Sequence, residues 1–159
     1  VLHSGGTGTS WLVAAQGVGA VIAVVWLPNL AARTSRLTVL RGSIYVLCVS
    51  VALYALAPSL AWAALTLVVA GGAYVGMITG FNSSVQLHAP THLRSRVVSL
   101  YTMSLSIWYP LGTLAQAALA HHYGIRPVTL VAGLAGLVLA TFVAAGERSF
   151  LSAVELPAT

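Results

Sequence analysis

Long apolar runs alternate with short polar joints along the whole chain. Apolar residues dominate 10–32, 42–57, 60–82, 97–120 and 127–146, and none of these five runs contains Asp, Glu, Lys or Arg. A helix needs ~20 mostly apolar residues to cross a ~30 Å hydrocarbon core. Four runs reach that length, and the run 42–57 approaches it once the flanking Leu40 and Leu60 are counted. The strands of a membrane barrel would alternate apolar and polar over about ten residues; these runs are longer and do not alternate. The pattern predicts an all-α membrane protein with five transmembrane helices over 1–146 and a tail over 147–159.

The joints carry the charge. Arg33, Arg36 and Arg41 lie between the first two runs, Arg94 and Arg96 before the fourth, and Arg148 after the fifth. Alternate joints share one side of a membrane, so six arginines fall on one side and Arg126 alone on the other. Cytoplasmic loops are enriched in Lys and Arg. This asymmetry predicts an N-terminus outside, cytoplasmic loops at 33–41 and 83–96, and a cytoplasmic tail, in a multi-pass protein of the cytoplasmic (inner) membrane.

Composition agrees and narrows the function. Charged residues make up 6% of the chain and apolar residues 58%, against roughly 25% and 45–50% in soluble domains. A net charge of +5 spread over scattered arginines is not the clustered basic face that binds nucleic acid, so no nucleic-acid partner is expected. Cys48 is the only cysteine and forms no internal disulfide. An odd number of spans, an outside N-terminus and a first residue of Val are read as a fragment of a larger protein.

Small residues mark faces where helices pack closely in lipid. Gly72, Gly76 and Gly80 form one such ridge in the third run, Gly133 and Gly136 with Ala140 and Ala144 another in the fifth, and Gly17 and Gly19 a third in the first. The fourth run differs. Thr102, Ser106, Tyr109, Thr113 and Gln116 recur at helical spacing and make a polar stripe on one face, while Leu100, Met103, Ile107, Leu111, Leu114 and Ala118 occupy another. A polar stripe at membrane depth faces protein or a water-filled cavity. Those five residues and Gln16 are therefore candidates for a substrate pathway. Pro110 cannot donate to the Ser106 carbonyl, and Gly112 follows it, so the two are a candidate hinge.

Catalytic and metal chemistry find no foothold. The adjacent His121 and His122 point about 100° apart on a helix and lack an acidic or Cys companion, so no metal site is expected. No Gly-x-Ser-x-Gly or His-Glu-x-x-His pattern occurs, so no enzyme activity and no cofactor are expected.

The segment Asn82-Ser-Ser-Val-Gln86, then Pro90-Thr-His-Leu93-Arg94-Ser-Arg96-Val-Val-Ser99, then Pro110-Leu-Gly112 and Tyr123-Gly124, resembles the major facilitator superfamily. It is similar in particular to the bacterial branch of the enterobactin exporter and related drug-efflux proteins. Leu30-Ala-Ala-Arg33-Thr-Ser-Arg36 resembles that family's cytoplasmic loop motif, with Asn29 and Ala31-Ala32 where Gly and Asp are common; Ser95 stands where the family usually has Gly. The resemblance implies about the eighth to twelfth of twelve helices, a missing N-terminal half, and a small-molecule substrate moved by alternating access. It also makes Arg33, Arg36, Asn82, Arg94 and Arg96 candidates for a cytoplasmic gate. A non-transporting membrane subunit or scaffold is the alternative. No ionisable group lies within a span, which sends the coupling residue of a driven transporter to the missing half.

Overall fold

A computed structural model describes residues 6–34, 36–88 and 94–154. Five α-helices follow one another: α1 (Gly6–Arg33), α2 (Arg36–Ala55), α3 (Leu60–His88), α4 (Arg94–Tyr123) and α5 (Ile125–Val154), with no strand among the described residues. In lipid each backbone amide must find its partner within the segment, and a helix is how a single run achieves this.

The helices outrun the apolar stretches that nucleate them. α3, α4 and α5 have 29, 30 and 30 residues, roughly 45 Å each at 1.5 Å per residue. That exceeds the ~30 Å core and reaches through the headgroup layers. Arg36 and Arg41 therefore sit in the first turns of α2, and Arg94 and Arg96 in the first turn of α4, where loops 33–41 and 83–96 were expected. Residues 147–154 of the expected tail likewise continue α5.

Local chemistry ends each helix. The Thr34 hydroxyl and amide both donate to the Leu30 carbonyl, at 2.7 and 3.0 Å, closing α1. Pro58 follows α2, and Ser59 caps α3 by accepting from the Trp62 amide at 3.4 Å. Gly124, at φ 87°, stops α4 in the left-handed conformation that glycine adopts freely, its amide donating to the Ala120 carbonyl at 2.9 Å. Pro127 then falls in the first turn of α5, where an amide would lack a helical partner.

α1 and α2 both pack along α3, and α2 also packs along α5; α1 and α2 barely meet. The contacts are made by small residues. Ala23, Ala55, Ala57, Ala63, Ala70 and Ala73 are buried, as are Ser50 and Thr66, whose hydroxyls return to carbonyls of their own helices. A Cβ on Gly19 would fall on the Val68 carbonyl, and one on Gly71 on the Gln16 carbonyl. Gly72 faces Gly19, but Gly76 and Gly80 face Ser43 and Leu40 of α2, so the single ridge expected on this helix serves two partners. A Cβ on Gly133 would stand 2.9 Å from the Ala52 amide, and one on Gly136 2.9 Å from the Cys48 sulfur. Gly17, expected on a packing face, has open space beside it.

Four helices, α1, α2, α3 and α5, are long and apolar enough to cross a membrane. α4 has the length without the apolarity, because its hydroxyls, its amide and Pro110 dilute the run. The protein is an all-α, multi-pass membrane protein.

Candidate functional site

α4 lies at the margin of the bundle, against α5 and one end of α3, and does not pack on α1 or α2. Every residue from Thr102 to Leu119 is exposed. The helix continues unbroken through Pro110, so Thr102, Ser106, Tyr109, Thr113 and Gln116 do share one face. Trp108 and Tyr109 stand 71% and 66% exposed at its middle.

The Thr and Ser hydroxyls of the stripe are satisfied at home. Thr102 donates to the Val98 carbonyl at 2.8 Å, Ser106 to the Thr102 carbonyl at 3.0 Å, and Thr113 to the Pro110 carbonyl at 2.8 Å. Their protons are spent within the helix, which lowers the cost of polar side chains at membrane depth. Their oxygens keep lone pairs and can still accept. Among the described residues no side chain of the stripe hydrogen-bonds a neighbouring helix, so the stripe is not what joins α4 to this bundle.

Between α4 and α5 lies an apolar cleft of about 550 Å³, lined by Gly112, Ala115, Leu119, Tyr123, Pro127 and Val131. Gln116 also borders this cleft and so links it to the edge of the stripe. Gly112 carries nothing within reach of an added Cβ, leaving space beside the Pro110 turn.

The other candidates are dispersed. Gln16 is exposed on α1 with its backbone against Gly71, and α1 does not reach α4, so Gln16 and the stripe are not brought together. Asn82 is half-buried near the end of α3. Arg33 is exposed in the last turn of α1, where a cation suits the negative end of the helix dipole. Arg96 is exposed in the first turn of α4, where the dipole disfavours it. The side chains of Arg36 and Arg94 lie outside the described residues.

One contact escaped the sequence reading. Arg126, at the start of α5, donates to the Ala57 carbonyl at 3.2 Å, tying α5 to the turn between α2 and α3. The signal was present, since both joints fall on the same side of the alternation, but nothing in the chain says which acceptor the guanidinium meets. The rings of His121 and His122 sit edge-on with centroids 5.5 Å apart, and no group of three potential metal ligands occurs among the described residues.

The sequence profile of a major facilitator-type family, described as transmembrane secretion effector, matches residues 1–155. The chain belongs to the transmembrane secretion effector family. No curated protein and no solved structure matched it. The family match makes this a transporter-type protein rather than an enzyme, and the resemblance in the segment from Asn82 to Gly124 holds at the level of the major facilitator type.

Proposed function

We propose that the chain is the C-terminal part of a secondary active transporter that exports small, drug- or siderophore-like molecules across the cytoplasmic membrane by alternating access. The observation that carries this reading is the uncovered polar face of α4, with its Thr and Ser hydroxyl protons used internally. Thr102, Ser106, Tyr109, Thr113 and Gln116 line the pathway, joined by Gln16 from α1 when the N-terminal half closes it. Tyr109 offers substrate an apolar ring with a hydroxyl handle, beside the Pro110–Gly112 hinge. Arg33, Arg36, Asn82, Arg94 and Arg96 form the cytoplasmic gate, the arginines holding helix-end carbonyls in their planar forks. The packing of α2 on α5 supports the alignment with the ninth and twelfth helices of the fold, which lie outside the cavity in the family.

Single cysteines in the membrane-embedded transporter test both pathway and orientation. Cys at Thr102, Ser106, Tyr109, Thr113 and Gln116 should react with a small aqueous thiol reagent, and Cys at Met103, Ile107 and Leu114 should not. Ser59→Cys should react from outside the cell and Ser95→Cys only from within. Equal reactivity around α4 would remove the pathway, and the opposite sidedness would invert the topology.

A further inference from the structure

α1 and α3 pack closely along their length and part towards one end. A Cβ on Gly72 would stand 3.5 Å from the Ala23 side chain, and one on Gly76 3.4 Å from that of Leu27. Beyond Leu27 a cleft of about 610 Å³ opens between the two helices, with Val39 of α2 also on its wall. From Val75 to Ser83 along α3 it extends roughly 12 Å at 1.5 Å per residue.

Three polar groups on this wall lack the partners that a helix normally supplies. Val24 and Pro28 both line the cleft, and α1 runs through Pro28 as a helix. Proline has no amide to give the carbonyl four residues earlier, which here is that of Val24. On α3, Thr79 and Ser83 stand one turn apart and both line the cleft. The hydroxyls of Ser50, Thr66, Thr129 and Thr141 donate to carbonyls of their own helices. Those of Thr79 and Ser83 make no hydrogen bond among the described residues. The cleft thus offers one spare acceptor and two spare hydroxyls, and such groups are costly to leave unmet at membrane depth.

The rest of the wall sets the ligand's other half. Leu27, Ala31 and Val75 are apolar, and no ionisable side chain lines the cleft among the described residues. A charged molecule would lose its hydration there with nothing to replace it. Water alone would meet the polar groups and leave the apolar walls wet.

We propose that this cleft binds one small neutral amphiphile that carries a hydroxyl group, an alcohol or a phenol. A hydroxyl is donor and acceptor at once. It donates to the Val24 carbonyl and accepts from Thr79 or Ser83, while the apolar body lies against Leu27, Ala31 and Val75. The cleft shares no residue with the α4 stripe, so the assignment is independent of what passes along α4.

The test uses the whole chain in phosphatidylcholine nanodiscs, photolabelled with a diazirine-bearing octanol or with its methyl ether, which can accept but not donate. Labelled peptides are mapped by mass spectrometry. The alcohol should label 24–32 and 75–83, be displaced by unlabelled octanol, and exceed the ether there roughly fivefold to tenfold, as one or two hydrogen bonds allow. Thr79→Val with Ser83→Ala should bring the alcohol down to the level of the ether, and Thr79→Ser should keep the preference. Pro28→Ala returns an amide to the Val24 carbonyl, so it should also lower the preference without lowering the unfolding midpoint. Labelling spread evenly over the five helices, equal labelling by alcohol and ether, or a preference that survives the double variant or Pro28→Ala would each overturn the assignment.

Discussion

α3 and α4 have 29 and 30 residues and lie next to each other in the chain, yet they solve opposite problems. α3 buries a face of Ala and Gly against two neighbours, so closely that Gly19 and Gly71 leave no room for a methyl group. α4 offers hydroxyls, an amide and large aromatics to open space and touches the bundle along an apolar cleft with α5. In lipid there is no hydrophobic drive to bring helices together, so shape complementarity between small residues does it. α3 has that complementarity and α4 does not. A helix with weak adhesion and internally satisfied polar groups is free to meet water, a substrate or another half of a transporter.

The contrast breaks first at the glycines. Gly19→Leu or Gly71→Leu drives a side chain into the backbone of the facing helix, and the two helices must separate. We expect most folded protein to be lost, since overpacking costs about 1–3 kcal/mol even where the clash can relax and these clashes are with backbone. Gly17→Leu and Gly112→Leu, which meet nothing, should leave the thermal unfolding midpoint in detergent unchanged within a degree or two. If all four variants behave alike, close packing does not distinguish the bundle from α4.

The second break acts on transport without acting on fold. Tyr109→Ala removes an exposed ring that nothing in the bundle packs on. Transport by the complete protein should fall roughly tenfold, the loss of about 1.4 kcal/mol of substrate interaction, with the amount of folded protein unchanged. Tyr109→Phe should recover the part due to ring area and so separate it from the hydroxyl. A loss of expression with Tyr109→Ala would make α4 a packing helix like α3.

The smallest effect belongs to Arg126. Its bond to the Ala57 carbonyl is part-buried and long at 3.2 Å, and a hydrogen bond contributes about 0.5–1.5 kcal/mol in the typical case. Arg126→Gln should lower the unfolding midpoint by a few degrees or less. It should also raise the mobility of a spin label at Ser59, in the turn that Arg126 holds, while leaving a label at Gly112 unaffected. An unchanged Ser59 label would show that α5 is held to α2 by Gly133 and Gly136 alone.

Much of the fold was legible before the structure. Apolar runs marked five helices, and five helices form in the order in which those runs occur. Gly133 and Gly136 were read as one packing face and do share a partner, α2. Helix ends were less legible. Hydropathy registers the hydrocarbon core, whereas α3, α4 and α5 continue through the headgroup layer, where Arg94 and Arg96 are tolerated within α4. At the candidate site, the period of the stripe on α4 was readable and its isolation was not.

The chain by itself determined that it must lie in a membrane, that its segments must be helical, and that one of them carries a polar face. Each of those follows from composition or from a period along one helix. The tertiary structure decided which faces meet. It divided the Gly72–Gly80 ridge between α1 and α2, left Gly17 facing open space, kept Gln16 away from the α4 stripe, and set Arg126 on the Ala57 carbonyl. A helix period fixes the angle between residues on one cylinder but not the direction in which that cylinder faces its neighbours. In lipid no hydrophobic drive turns a helix toward its neighbours, so the fit of one surface against another supplies that direction.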